Sequence, residues 1–149
     1  MITMNNKMME IVTNQETSNN FPTLAVQNFC YNIISNTVLR DNFIVYSNEQ
    51  ELDKIDLKLA LQNFYDMTDL EMFYNELIIP LKLIKKSSII AIMNTFKNEL
   101  LRKYPNIKFC VIIYWDDKFV LRFHRYRETE GIWLSENLEE CNNPIMYDV

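Results

Sequence analysis

The sequence predicts an α+β domain in which N-terminal helices pack on a C-terminal antiparallel β-meander. Three observations carry this expectation. Apolar residues recur at helical spacing through the first two thirds, the last third changes to β-branched and aromatic runs, and turn residues separate those runs. With 149 residues, 48% of them hydrophobic and 23% charged, the chain can bury one core and is too apolar to be disordered.

Residues 1–20 are polar and aperiodic, which predicts a flexible arm ahead of a single domain over 21–149. Pro22 suits a first helical turn, and Val26, Cys30, Ile33 and Ile34 extend a helix over 22–35. Phe43, Ile44, Val45 and Tyr46 favour a strand. Leu52, Ile55 and Leu59, then Leu61, Phe64 and Tyr65, predict two further helices, with Thr68 and Glu71 read as a capping box. Pro80 should end or kink the helix before it. Ser87 or Ser88 caps a fourth helix whose stripe is Ile89, Met93, Phe96, Leu100 and Tyr104, and Pro105 stops it.

Residues 107–115 and 118–126 read as a β-hairpin joined by Asp116-Asp117. A two-residue turn would pair Tyr114 with Phe119, Ile112 with Leu121 and Cys110 with Phe123, turning those six toward the helices. The other face then holds Phe109, Val111, Ile113 and Trp115 beside Lys118, Val120, Arg122 and His124. One strand is therefore apolar on both sides. It is either central and covered twice, or it presents a patch to a partner. A turn at 128–131, strands at Ile132–Leu134 and Ile145–Tyr147, and a helical turn over 135–140 complete the meander.

Gly131 is the single glycine, which excludes phosphate-cradling P-loop and Rossmann turns. Asparagine stands in at turns, as at Asn36, Asn142 and Asn143. Cys30, Cys110 and Cys141 show no CxxC spacing, so a reducing cytoplasm is expected and neither a disulfide framework nor a zinc cluster is. The first 20 residues lack the apolar run of a signal peptide, and the longest apolar runs, 77–81 and 88–93, fall far short of a membrane span of about 20 residues. His124 is the only histidine, and alternation sets it with Arg122 and Val120, away from Cys110. It is expected to be a partly exposed sheet residue rather than a base. No ligand spacing such as HExxH or an EF-hand loop occurs. The expectation is a non-enzyme without cofactor or metal.

The charge is uneven: residues 41–80 carry a net −7, residues 81–127 a net +8 and residues 128–149 a net −6. The basic middle, with Lys82, Lys85, Lys86, Arg102, Lys103, Arg122, Arg125 and Arg127, supports one alternative reading, a nucleic-acid-binding regulator. A second alternative is a small enzyme using His124. An overall pI near 4.9 opposes polyphosphate, so no nucleic-acid partner is expected, and the basic middle should fold against the acidic ends. Acidic side chains at 49–76 read chiefly as solvated helix faces. Glu128, Glu130, Glu136, Glu139 and Glu140, interleaved with Trp133 and followed by Tyr147, form the candidate partner-binding surface, because aromatic anchors inside a charged rim are typical of protein interfaces.

A small acidic α+β domain without a catalytic set, whose most distinctive stretch runs from His124-Arg-Tyr-Arg127 to Pro144-Ile-Met-Tyr147, resembles the immunity proteins that neutralise bacterial polymorphic or contact-dependent toxins. The resemblance implies tight binding to a cognate toxin domain, often a cationic nuclease. It assigns no individual binding residue.

Overall fold

The computed structural model describes residues 1–15 and 20–149. In chain order the elements are β1 (Ile2–Met4), α1 (Asn6–Thr13), α2 (Leu24–Ser35), β2 (Thr37–Arg40), β3 (Phe43–Tyr46), α3 (Glu49–Leu52), α4 (Leu57–Ala60), α5 (Met67–Tyr74), β4 (Glu76–Ile79), α6 (Leu81–Ile84), α7 (Ile89–Lys103), β5 (Phe109–Trp115), β6 (Phe119–Arg125) and β7 (Ile145–Asp148). The fold is α+β. An antiparallel sheet of order β1-β7-β5-β6-β4 carries α2 and α7 on one face and α5 on the other, and β2-β3 form a separate two-stranded sheet.

The helices form where local chemistry satisfies their ends. Thr23 caps α2 by accepting from the Val26 N–H, and Ser88 caps α7 by accepting from the Ala91 N–H. The α7 stripe then buries Ile89, Met93, Phe96 and Leu100 on the sheet, with Arg102 and Lys103 in its last turn where the helix dipole favours cations. Cys30, Ile33 and Ile34 of α2 join the same core, which meets Phe109, Val111, Ile113, Leu121 and Phe123 on the strands.

The expected arm over 1–20 is corrected at its first part. Ile2–Met4 pairs with Asp148–Met146, and Asn5 caps α1 while donating to the Asn143 carbonyl at 2.9 Å. Met8 is wholly buried in the main core. A three-residue edge strand and one buried methionine leave too short a periodicity to stand out in a polar stretch. The portion of the expected arm at 16–19 lies outside the described residues.

Four smaller expectations also shift. The helix capped by Thr68 is capped instead by Asp66, which accepts from the Asp69 N–H at 2.8 Å, so Thr68 and Glu71 lie inside α5. That helix stops at Tyr74, and the residues before Pro80 form β4. Ile132–Leu134 forms no strand, because Arg127 and Gly131 close a bridge and Gly131, at φ 73°, turns the chain across the sheet. Among the described residues, the non-glycine positive φ angles fall at Asp41, Asn42 and Asp117, not at Asn36, Asn142 or Asn143. Asp41 and Asn42 make the β2-β3 turn, the pattern of a tight hairpin in which both central residues are left-handed.

The hairpin β5-β6 exists, but its register differs by one residue. Trp115 pairs with Phe119 and Cys110 with His124, around a three-residue turn in which Asp117 takes φ 56°. A one-residue change exchanges partners across the faces. Phe119, Leu121 and Phe123 therefore share the helical face with Val111 and Ile113, whereas Cys110, Ile112 and Tyr114 share the second face with His124, Arg122 and Val120. Of the two expectations for β5, coverage on both sides is the one found: Met72, Leu138 and Ile145 close over Cys110 and Ile112.

Candidate functional site

The second face of the sheet is covered by α5 and by the irregular chain from 126 to 144, and here buried polar groups concentrate. Glu71 is fully buried and accepts four contacts: the Ile44 N–H at 2.8 Å, the Arg125 N–H at 2.7 Å, and both arms of Arg127 at 2.8 and 3.1 Å. Burial pushes the Glu71 carboxyl above its ordinary value, while the Arg127 guanidinium and the two backbone donors pull it back. Asn75, also buried, receives the Tyr46 N–H and donates to the Ile44 and Phe123 carbonyls. Glu71 of α5 and Asn75 at its C-terminal cap fasten the small sheet to the large one. Neither role is visible in sequence, since each partner lies 27 or more residues away.

His124 is fully buried, not partly exposed as expected, and it lies on the same face as Cys110. Its Nδ1 is 2.9 Å from the Arg125 carbonyl, and among the described residues its Nε2 has no hydrogen-bond partner. Burial pulls the imidazole below its ordinary value, and burial pushes the Cys110 thiol up to about 12. The pair is thus a neutral imidazole beside a neutral thiol, the opposite of an activated nucleophile. Among the described residues, no group of three or more His, Cys, Asp or Glu is placed to hold a metal ion, and no helix is long and apolar enough to cross a membrane.

Part of the basic middle folds against acidic partners, whereas Lys82, Lys85 and Lys86 are exposed and make no ion pair among the described residues. Arg122 pairs with Glu76, Arg127 with Glu71, and Lys97 with Asp148 at 2.9 Å. Arg125 donates to the Asn42 side chain, and Arg122 lies over the rings of Tyr114 and Trp133.

The proposed partner surface is divided by the structure. Glu130, Glu136 and Tyr147 line one open groove of about 670 Å³ together with Ile132 and Leu134. Trp133 and Glu130 line an adjoining cavity of about 330 Å³ whose other walls are Tyr65, Asp66, Thr68, Asp69 and Ile132. Glu128 is exposed at the turn that precedes both. Glu139 and Glu140 lie elsewhere: Glu139 accepts from the Asn6 N–H at 2.8 Å and steadies the start of α1, and Glu140 bonds Ser135 and Asn137.

The α5 contribution was missed in sequence, where its carboxylates read as solvated helix faces. Asp69 and Phe73 are spaced by four and so lie along one side of the helix, and Tyr65 stands just before its N-cap Asp66. Asp69 accepts the Trp133 indole N–H at 3.1 Å and the Tyr65 N–H at 3.2 Å, which ties both aromatics to the helix. Glu130 is fixed in turn by the Thr68 N–H at 2.8 Å and hydroxyl at 2.6 Å. Tyr65 remains 95% exposed, Phe73 65% and Trp133 44%. The result is an exposed aromatic surface with carboxylates beside the rings.

A family model matches residues 3–149, so the chain belongs to the family described as the Uncharacterized protein PM0498 family. No curated protein and no solved structure gives a match.

Proposed function

We propose that the protein is a binding module that neutralises a basic protein partner, in the manner of the toxin-immunity proteins it resembles, and that docking uses the face formed by α5 and residues 126–136. The observation that carries this reading is the exposure of Tyr65, Phe73 and Trp133 beside carboxylates that, at Glu128 and Glu136, have no ion pair among the described residues. Exposed aromatics fill a partner's pockets, and Trp133, held by its indole N–H to Asp69, loses little entropy on binding, while rim carboxylates steer a cation to them. Of the basic side chains that would make a nucleic-acid surface, Arg122, Arg125 and Arg127 are engaged in internal contacts, which leaves the exposed Lys82, Lys85, Lys86 and Arg102 on a chain of net charge −5. That supports a protein partner over a polyphosphate.

The test is comparative capture. Immobilised wild-type chain is expected to retain, from an extract of the cell that makes it, a basic protein that a folded Glu128→Lys/Trp133→Ala/Glu136→Lys variant does not retain. Co-expression of the wild-type chain should then protect a host from that protein. Identical retention by the two chains, or retention of nucleic acid alone, would overturn the reading.

A further inference from the structure

Resting on the reading of a basic protein partner, we infer that the cavity between α5 and Trp133 is the seat of an arginine side chain contributed by that partner. Its lining supplies what a guanidinium needs and contains no cation of its own: the carboxylates of Asp66, Asp69 and Glu130, the aromatic rings of Tyr65 and Trp133, and the apolar Ile132. At about 330 Å³ the space has room for the head and outer stem of one long side chain.

The carboxylates are oriented before any ligand arrives. Asp66 Oδ1 is held by the Asp69 N–H, Glu130 Oε2 by Thr68, and both oxygens of Asp69 by the Tyr65 N–H and the Trp133 indole. Among the described residues, Asp66 Oδ2 and Glu130 Oε1 accept no hydrogen bond. Two fixed carboxylates, each with one oxygen still open, suit the forked donors of arginine better than the single ammonium of lysine. The rings add a second selection for a flat cation. The Trp133 ring already takes one guanidinium, that of Arg122 at 5.7 Å from its centroid, and 44% of the residue is still open to solvent. Arg127, 3.9 Å from Glu130 Oε2, is the nearest cation to the carboxylate cluster, and Glu71 holds it on the buried side. The walls therefore present negative charge without a competing internal partner for the open oxygens.

The experiment is a titration of the full ¹⁵N-labelled chain with three short peptides identical except for a central Arg, Lys or Gln. The arginine peptide is expected to shift the Trp133 indole and Thr68 amide resonances at millimolar concentration, at least about five-fold more tightly than the lysine peptide, and the glutamine peptide should leave them in place. Asp66→Asn and Glu130→Gln keep an acceptor oxygen for the Asp69 and Thr68 contacts, so both variants should fold, and together they should weaken the arginine response at least about ten-fold. The inference is overturned by an absence of shifts at these two sites, by equal shifts with lysine, or by equal response in the double variant. It is also overturned if the same resonances move with protein concentration alone, which would mark the cavity as a contact between copies of this chain. Because the peptides replace the partner, failure here leaves the capture experiment standing, and failure of capture leaves the peptide result readable.

Discussion

The two faces of the five-stranded sheet are built from different chemistry. Under α2 and α7 the contacts are mainly apolar, from Val26 and Phe96 to Val111, Leu121 and Phe123, with one ion pair, Lys97 to Asp148, between α7 and β7. On the opposite face Met72, Ile112, Leu138 and Ile145 share the interior with Glu71, Asn75 and His124, and the cover is irregular chain in place of a long helix. The first face can be kept by any well-packed set of hydrophobic side chains. The second requires named partners at fixed distances, and it ends at the surface in aromatics and carboxylates. The difference separates a face held by apolar packing from a face held by named polar contacts, which also carries the proposed site.

The largest expected effect lies on the helical face. Phe96 is wholly buried and its ring centroid is 5.3 Å from that of Phe123. Phe96→Ala should cost about 3–5 kcal/mol in urea unfolding, by lost burial and the cavity left behind. A loss below about 1 kcal/mol would show that this face does not carry the stability assigned to it.

On the polar face, Arg127→Met removes the fork that faces the buried Glu71 carboxylate and should cost about 3 kcal/mol. Combining it with Glu71→Gln should recover part of that loss, because no charge is then left unpaired in the interior. A strictly additive double variant would mean that the two side chains act independently.

Much of the helical face was legible in sequence, and little of the polar face was. The Ser88 cap, the stripe from Ile89 to Leu100 and the Pro105 stop are local signals, and α7 follows them. The hairpin β5-β6 was legible as a hairpin, but one extra turn residue reversed which side chains meet the helices, and with them the placement of His124. The strand β1 and the buried Met8 were hidden in a polar stretch, because their pairing partner lies at the far end of the chain. Of the residues that line the proposed cavity, Glu130 and Trp133 were named from sequence, and Tyr65, Asp66 and Asp69 were not. A charged helix face and a binding surface have the same sequence pattern until the Trp133 indole is seen to bond Asp69.

A smaller effect comes from pH. Burial lowers the His124 value in the folded state below its ordinary 6.5, so the unfolded chain binds a proton more readily than the folded one. Stability contributed by the neutral imidazole is complete well above pH 6.5 and falls as pH drops through that value toward the lowered one, with a slope of up to about 1.4 kcal/mol per pH unit. The raised value of Glu71 acts in the opposite direction at lower pH and is common to both chains compared. The difference in unfolding free energy between wild type and His124→Gln, followed from pH 7.5 to 5.5, should therefore shrink as pH falls. A constant difference would remove His124 from the pH response.

The smallest effect on stability is expected at the outer rim. Trp133→Ala should change unfolding by no more than about 1 kcal/mol, since the ring is half exposed, yet speed dissociation of the partner by about 30-fold through loss of an anchor worth about 2 kcal/mol. A large drop in melting temperature without faster dissociation would place Trp133 with the core.

The docking face is tested most directly by the association rate of the captured basic partner as ionic strength rises, for wild type and for Glu128→Lys/Glu136→Lys. Those two carboxylates are the right pair to reverse, because Glu139 also holds the start of α1 through the Asn6 N–H. With stability unchanged, the reversed chain should associate at least about ten-fold more slowly at low salt, and the two rates should converge near 1 M, where the screening length falls to about 3 Å. Equal association rates at low salt in a folded variant would contradict the claim that this acidic and aromatic face receives a cationic protein.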